Sequence, residues 1–163
     1  MNSGAFVVLS TLHVLLFPNY SVMSTPKKVI GIGGIFIKCT NPESVREWHK
    51  KHLGFNTDQY GTSFEWRHAD NPEKKGYSVW STFADNTTYF APSAKEFMIN
   101  LRVENLEWLL TELKKEGIEQ IGEMQVYEYG KFAHITDPEG NKIELWESFD
   151  DVYGAMVGEN VTK

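Results

Sequence analysis

From Val29 onward the chain repeats one order of elements: an alternating apolar run, a capped helix and then short strands, twice, about sixty residues apart. In the first copy, IGGIFIKCTN places Ile35, Ile37 and Cys39 at the two-residue period of a strand. Asn41 then offers an N-cap side chain, Pro42 suits the first helical position, and Val45, Trp48 and Leu53 give a partial apolar face. Gly54 stands where a left-handed residue ends the helix. In the second copy, FMINLRVEN alternates Ile99, Leu101 and Val103, Asn105 is the cap, and Leu106, Leu109, Leu110 and Leu113 recur at helical spacing before Gly117.

Short aromatic or β-branched runs follow each helix. TSFEWRHA and GYSVWSTF, separated by the loop NPEKKG, follow the first; EMQVYEYG, KFAHITD and NKIELWE follow the second. Within DPEGN, Pro138 fixes one turn dihedral and Gly140 permits a positive φ, so the last two runs are expected to form a hairpin. Two copies of an α+β unit predict a pseudo-twofold domain whose sheets curve around a shared space.

Composition limits the size and the partners. With 163 residues, 41% of them hydrophobic, the chain builds one full-sized core rather than several. A formal net charge of −6 and no basic run longer than a Lys-Lys pair argue against nucleic acid as a partner. The single cysteine, Cys39, excludes an internal disulfide framework and fits a reducing compartment or simply a small apolar core position. Residues 1–28 read as an N-terminal extension. Its apolar stretch AFVVLSTLHVLLF is too short for a bilayer span, which needs about 20 residues, yet suits a signal-peptide core. No Lys or Arg precedes it, PNYSVMS is a poor cleavage site, and Met23 opens a polar MSTPKK. A mis-assigned start, an export or tethering signal, and a structured segment are the three readings, and no membrane is expected for the mature domain. Residues 29–148 form the domain, with modules at about 29–90 and 97–148, and residues 149–163 a weakly periodic tail that frays or packs on a partner subunit.

The pattern of strand, capped helix closing in LGF, and a second module ending in DPEGNKIELWE resembles the vicinal oxygen chelate superfamily, which includes glyoxalase I, extradiol dioxygenases and bleomycin-resistance proteins. The resemblance covers roughly residues 29–148. It implies an α+β fold of two paired βαβββ modules forming a cup-shaped mixed sheet, a small-molecule ligand, a homodimer and a cytoplasmic location, with export the alternative if residues 1–22 are a signal. No single reaction follows, because the fold hosts lyases, isomerases, ring-opening dioxygenases and drug-sequestering proteins. Enzymes of the family take metal ligands from the first and last strands of each module. The resemblance places Glu144 at the final ligand position, Gly34 and Met98 at the two first-strand positions, and the fourth within residues 77–81, which hold no carboxylate or imidazole. Glu144 is thus the only retained metal ligand, and known metal sites use about three or four protein ligands. No cofactor is assigned, and a divalent metal stays open with an incomplete quartet.

Strand alternation places Lys142, Glu144 and Trp146 on one face and Ile143, Leu145 and Glu147 on the other. Centring the turn on Glu139 pairs Thr136 with Lys142, His134 with Glu144, and Phe132 with Trp146. Three readings of the His134–Glu144 pair stand: a catalytic pair for proton abstraction beside a carbonyl, a structural cross-strand pair, or part of an unusual metal site. The same alternation turns Gly34, Phe36 and Lys38, and Met98, Asn100 and Arg102, toward the cup. With Phe132 and Trp146, these candidate ligand-binding residues suit a planar or acidic small molecule. His49 and His52, one helical turn apart beside Lys50 and Lys51, read as a wet helix face, with metal binding the alternative. The expected function is a lyase- or isomerase-type enzyme acting on a small carbonyl or aromatic or acidic compound. A non-catalytic sequestering protein and an extradiol-dioxygenase-like enzyme are the contrasting readings.

Overall fold

The structure is a computed structural model that describes residues 25–26 and 28–163, so the expectations for residues 1–22 lie outside the described residues. The elements in chain order are β1 (Gly31–Cys39), α1 (Pro42–Leu53), β2 (Gly61–Arg67), β3 (Lys75–Ala84), β4 (Phe97–Arg102), α2 (Leu106–Lys115), β5 (Ile121–Tyr127), β6 (Gly130–Thr136), β7 (Lys142–Ser148), α3 (Asp150–Val157) and β8 (Val161–Thr162). The local signals act as read. Asn41 Oδ1 accepts the Ser44 N–H at 2.9 Å, Asn105 Oδ1 accepts the Trp108 N–H at 2.9 Å, and Gly54 caps α1 with φ 71°. Asp137 closes the last hairpin by accepting the Glu139 and Asn141 N–H groups, both at 2.9 Å, while Gly140 takes φ 76°.

One mixed sheet runs β5-β6-β7-β4-β1-β3-β2-β8. Its two halves are copies of each other. β1 pairs parallel with β3 as β4 does with β7, and antiparallel β2 and β6 lie outside them. The halves join where β1 runs antiparallel to β4, with Gly34 opposite Asn100 and Phe36 opposite Met98. This α+β cup is the expected architecture, and the three strands after α2 complete the second module. Only two strands follow α1, and the outer place in the first module is taken by β8, parallel to β2.

β8 belongs to the segment set apart as a tail, and here the structure corrects the boundary at residue 148. Tyr153 and Val161 are buried, Tyr153 Oη meets Ser63 Oγ at 2.9 Å, and Thr162 Oγ1 meets Thr62 Oγ1 at 2.7 Å. Gly154 lets α3 lie against Tyr77, since a Cβ there would collide with the Tyr77 hydroxyl. An eight-residue helix with two buried positions carries too little periodicity to be read from sequence.

Outside the cup, α2 covers Leu145, Ala133 and Val103 with Leu106 and Leu109. The thinner α1 has no fully buried residue, and Trp48 and Leu53 stay exposed. It is held instead by His49 lying over Trp80 at 4.4 Å and by Arg46 Nη1 donating to Thr82 Oγ1 at 2.9 Å. Inside the cup lie Phe36, Phe90 and Met98 at one end, and Tyr77, Trp146, Tyr153 and Val161 at the other.

Arg102 fastens α3 to the sheet. Its Nη2 donates to both Asp150 oxygens at 2.8 and 2.6 Å, and its Nη1 donates to the Tyr77 carbonyl at 3.1 Å. The guanidinium lies 5.1 Å from the Trp66 ring and 5.0 Å from the Trp146 ring, one indole from each module. Arg102→Ala should therefore destabilise the protein by about 3–5 kcal/mol in urea unfolding, because the buried Asp150 carboxylate loses its guanidinium partner and keeps only Ser148 Oγ at 2.8 Å and His68 at 3.8 Å. Removing the exposed Lys115–Glu112 pair should cost under about 1 kcal/mol.

Candidate functional site

Three adjacent strands bring Asn100, Glu144 and His134 into one row, since β4 pairs Asn100 with Glu144 and β6 pairs His134 with Glu144. The hairpin has the expected register. Glu144 is only 2% exposed, and its oxygens collect three donors. Asn100 Nδ2 donates to Oε1 at 2.7 Å, His134 Nε2 lies 2.9 Å from Oε2, and the Tyr89 hydroxyl donates to Oε2. An ionised carboxylate accepts and cannot donate, so this environment selects the His134 tautomer with its proton on Nε2. Asn100 is admitted by Gly33, at the bulge between Ile32 and Gly34: a Cβ on Gly33 would collide with Asn100 Oδ1.

Tyr89 comes from the connection between the modules. Phe90, wholly buried, wedges that connection into the cup, and Lys142 Nζ donates to the Tyr89 carbonyl at 2.6 Å. The Tyr89 ring stacks on Phe83 at 5.5 Å and meets His134 edge-on at 5.6 Å. Tyr89 as a whole remains 36% exposed, so the residue that reaches the buried carboxylate is itself at the surface. Burial, then the charge and hydrogen bond of Glu144, push the Tyr89 hydroxyl far above the ordinary phenol range. Burial pulls the Lys142 ammonium down, with Glu144 acting against it.

The residues do not fit a four-ligand metal centre. Aligning the modules on their N-caps, Asn41 and Asn105, equates Phe36 with Asn100, and the parallel pairs Phe36–Ser81 and Asn100–Glu144 then equate Ser81 with Glu144. The expected first-strand positions, Gly34 and Met98, carry no oxygen or nitrogen ligand in their side chains, and Met98 packs with Phe36 and Phe90. The four matching positions thus hold a phenyl ring, a hydroxyl that donates to the Tyr60 carbonyl, an amide and one carboxylate already bound by three donors. Among the described residues, no group of three His, Cys, Asp or Glu side chains is placed to hold a metal ion.

The other candidate residues separate into two groups. Phe132 stacks on Trp146 at 5.7 Å, and Trp146 in turn faces the Arg102 guanidinium, so these three lie toward α3. Phe36 and Met98 lie under Phe90, and the Lys38 ammonium sits 5.3 Å over the same ring. Sequence reasoning missed Tyr89, and it placed Lys142 on the correct face without assigning it to the site. The one available signal was an aromatic pair, Tyr89-Phe90, inside an otherwise polar linker.

A cleft of about 570 Å³ opens between β2, the β5–β6 turn and α3, lined by Ser63, Val79, Tyr129 and Tyr153 among others. Another, of about 800 Å³, lies on the far side of Arg102 and includes His68. Glu144 and His134 line neither. Tyr129 connects the first cleft to the network. It lies against Phe132 at 5.8 Å, and its hydroxyl is pushed up by burial first, then by Tyr127 and by the Glu144 charge.

Solved structures share this architecture. Methylmalonyl-CoA epimerase from Mycobacterium tuberculosis aligns over 82% of this chain and 97% of its own, with TM-score 0.52 and 18% identity. A variant of the Streptomyces coelicolor methylmalonyl-CoA epimerase, in complex with 2-nitronate-propionyl-CoA, aligns over 74% and 99%, with TM-score 0.54 and 14% identity. A weaker likeness, at TM-score 0.44 and 13% identity over 76% of this chain and 100% of the other, is to a glyoxalase/bleomycin resistance protein/dioxygenase superfamily member from Vibrio splendidus 12B01. No protein-family model and no curated protein matches the sequence. The chain has the vicinal oxygen chelate fold, as its repeated strand and helix order and closing hairpin suggested.

Of the seven tyrosines, Tyr77, Tyr89, Tyr129 and Tyr153 have hydroxyls pushed up, burial being the largest cause for each. Their neutral forms favour the folded state. That contribution is complete below the unfolded phenol value of about 10 and is lost as pH rises through the folded values. An alkaline absorbance titration should show a delayed phenolate step that coincides with unfolding. Tyr89→Phe should shrink that step.

Proposed function

We propose that this is a small-molecule-binding protein whose Glu144–His134 pair transfers a proton in a lyase- or isomerase-type reaction on a small carbonyl compound. The observation that carries the reading is the Glu144 carboxylate, buried among His134, Asn100 and the hydroxyl of Tyr89, a residue that is itself 36% exposed. When Tyr89 turns from Glu144 to a substrate oxygen, Oε2 keeps its His134 bond but regains a free lone pair. It takes the proton from the carbon beside the carbonyl, and the C–H electrons move into an enolate. Tyr89, still protonated at neutral pH, donates a hydrogen bond to the enolate oxygen. Glu144 then returns the proton on the same face to another carbon of the delocalised anion, so an isomerisation balances without another reagent. His134 and Asn100 hold the carboxylate in place throughout. Epimerases with the same fold support this reaction class. The homodimer and cytoplasmic setting implied by the sequence resemblance belong to the same proposal; among the described residues, no helix is long and apolar enough to cross a membrane.

One observation favours the sequestering reading: Tyr89 covers the carboxylate, and the cleft beside Tyr129 does not reach it. A screen of hemithioacetals, catechols, aromatic acids and other carbonyl compounds in deuterated water separates the two. Proton transfer should appear as deuterium entering the substrate, slowed at least about 100-fold in Glu144→Gln. Saturable binding without exchange by any compound would favour sequestration.

A further inference from the structure

The cleft of about 570 Å³ beside Tyr129 has the size of a small-molecule site, and its lining has an uncommon charge balance. No Lys, Arg or His contributes to it, and its one carboxylate is Asp58. Asp58 Oδ1 accepts the Tyr60 and Gly61 N–H groups at 2.7 and 3.0 Å, closing the turn into β2, and Asp58 makes no ion pair among the described residues. Across from it, the rings of Tyr129 and Tyr153 stand 6.2 Å apart at 59°, an aromatic corner. The corner is held firmly: Tyr129 stacks on Tyr127 at 5.3 Å, and Tyr153 is anchored through the buried Ser63 hydroxyl at 2.9 Å. Val79 and Val157 add an apolar surface.

We infer that this cleft binds an organic cation: an ammonium group carried on an aromatic or compact apolar body, with the cation between Asp58 and the tyrosine faces. Ring faces carry negative potential and attract ammonium groups, and an unpaired carboxylate adds to that field. An anionic ligand would meet the same carboxylate with no cation to offset its lost hydration. The preference for acids expected from Lys38 and Arg102 has no counterpart here, because Arg102 is bound by Asp150 and Lys38 sits over Phe90. This inference goes beyond the functional reading, because the cleft is lined by neither Glu144 nor His134, and it rests on that reading only in taking the protein as one that binds small molecules.

The test is calorimetric titration of the full chain with three ligands of one skeleton: naphthylmethylamine, naphthylmethanol and naphthoate. The amine should bind about tenfold tighter than the alcohol, and naphthoate weakest. Asp58→Asn keeps the Oδ1 acceptor that holds the turn and removes the charge. It should abolish most of the amine's advantage and leave the alcohol unchanged. Naphthoate binding as tightly as the amine, an amine affinity unaltered by Asp58→Asn, or no binding of the amine would each overturn the inference. Substrate deuteration is read separately. Its loss with amine selectivity intact removes the catalytic reading alone, while deuteration with a preference for naphthoate removes the cation site alone.

Discussion

The organisation of the molecule rests on one buried ion pair. A guanidinium that is 2% exposed needs a compensating charge, and Arg102 finds it in Asp150, the first residue of α3. The carboxylate also stands in the first turn of a helix, where the backbone dipole favours a negative charge. Because Trp66 and Trp146 enclose the guanidinium from opposite modules, the pair fixes where the chain must turn after β7. From that point α3 lays Tyr153 on Tyr77, β8 reaches the open edge of β2, and the space between them becomes the cleft. The cleft is thus a product of the segment that follows the second module.

Glu144 sets the second constraint. A carboxylate at the centre of a sheet face must be satisfied, and it draws a donor from each neighbouring strand and a third from the connecting loop. These bonds do two things at once. They compensate the buried charge, and they hold the imidazole and the phenol at fixed distances from one oxygen. Gly33 serves the same arrangement from the opposite strand by giving up the volume that Asn100 occupies.

Much of the fold was legible because it depends on local chemistry. Asn41, Asn105 and Gly54 acted through hydrogen bonds and backbone angles within a few residues, and the DPEGN turn fixed the pairing of His134 with Glu144. The alternation in β7 also gave the correct faces. What was not legible came from long-range partners. Arg102 looked like a cup-facing cation because the acid that neutralises it lies 48 residues away. Tyr89 sits in a linker with no period, and its role arises only when Phe90 and Lys142 tie that linker down. The tail was misjudged for the same reason: β8 is two residues long and gains meaning only beside β2.

The duplication that builds the sheet carries a further consequence. A cup made of two equal halves would offer any guest two poses related by the pseudo-twofold, with nothing to choose between them. Here Asn100 and Glu144 on one side answer to Phe36 and Ser81 on the other, and strand β8 stands where its counterpart is β5. Flipping a guest end for end would exchange a carboxylate for a hydroxyl and an amide for a phenyl ring. Unequal copies thereby convert a symmetric scaffold into one that distinguishes the head of a small molecule from its tail, without adding a new element to the sheet's interior.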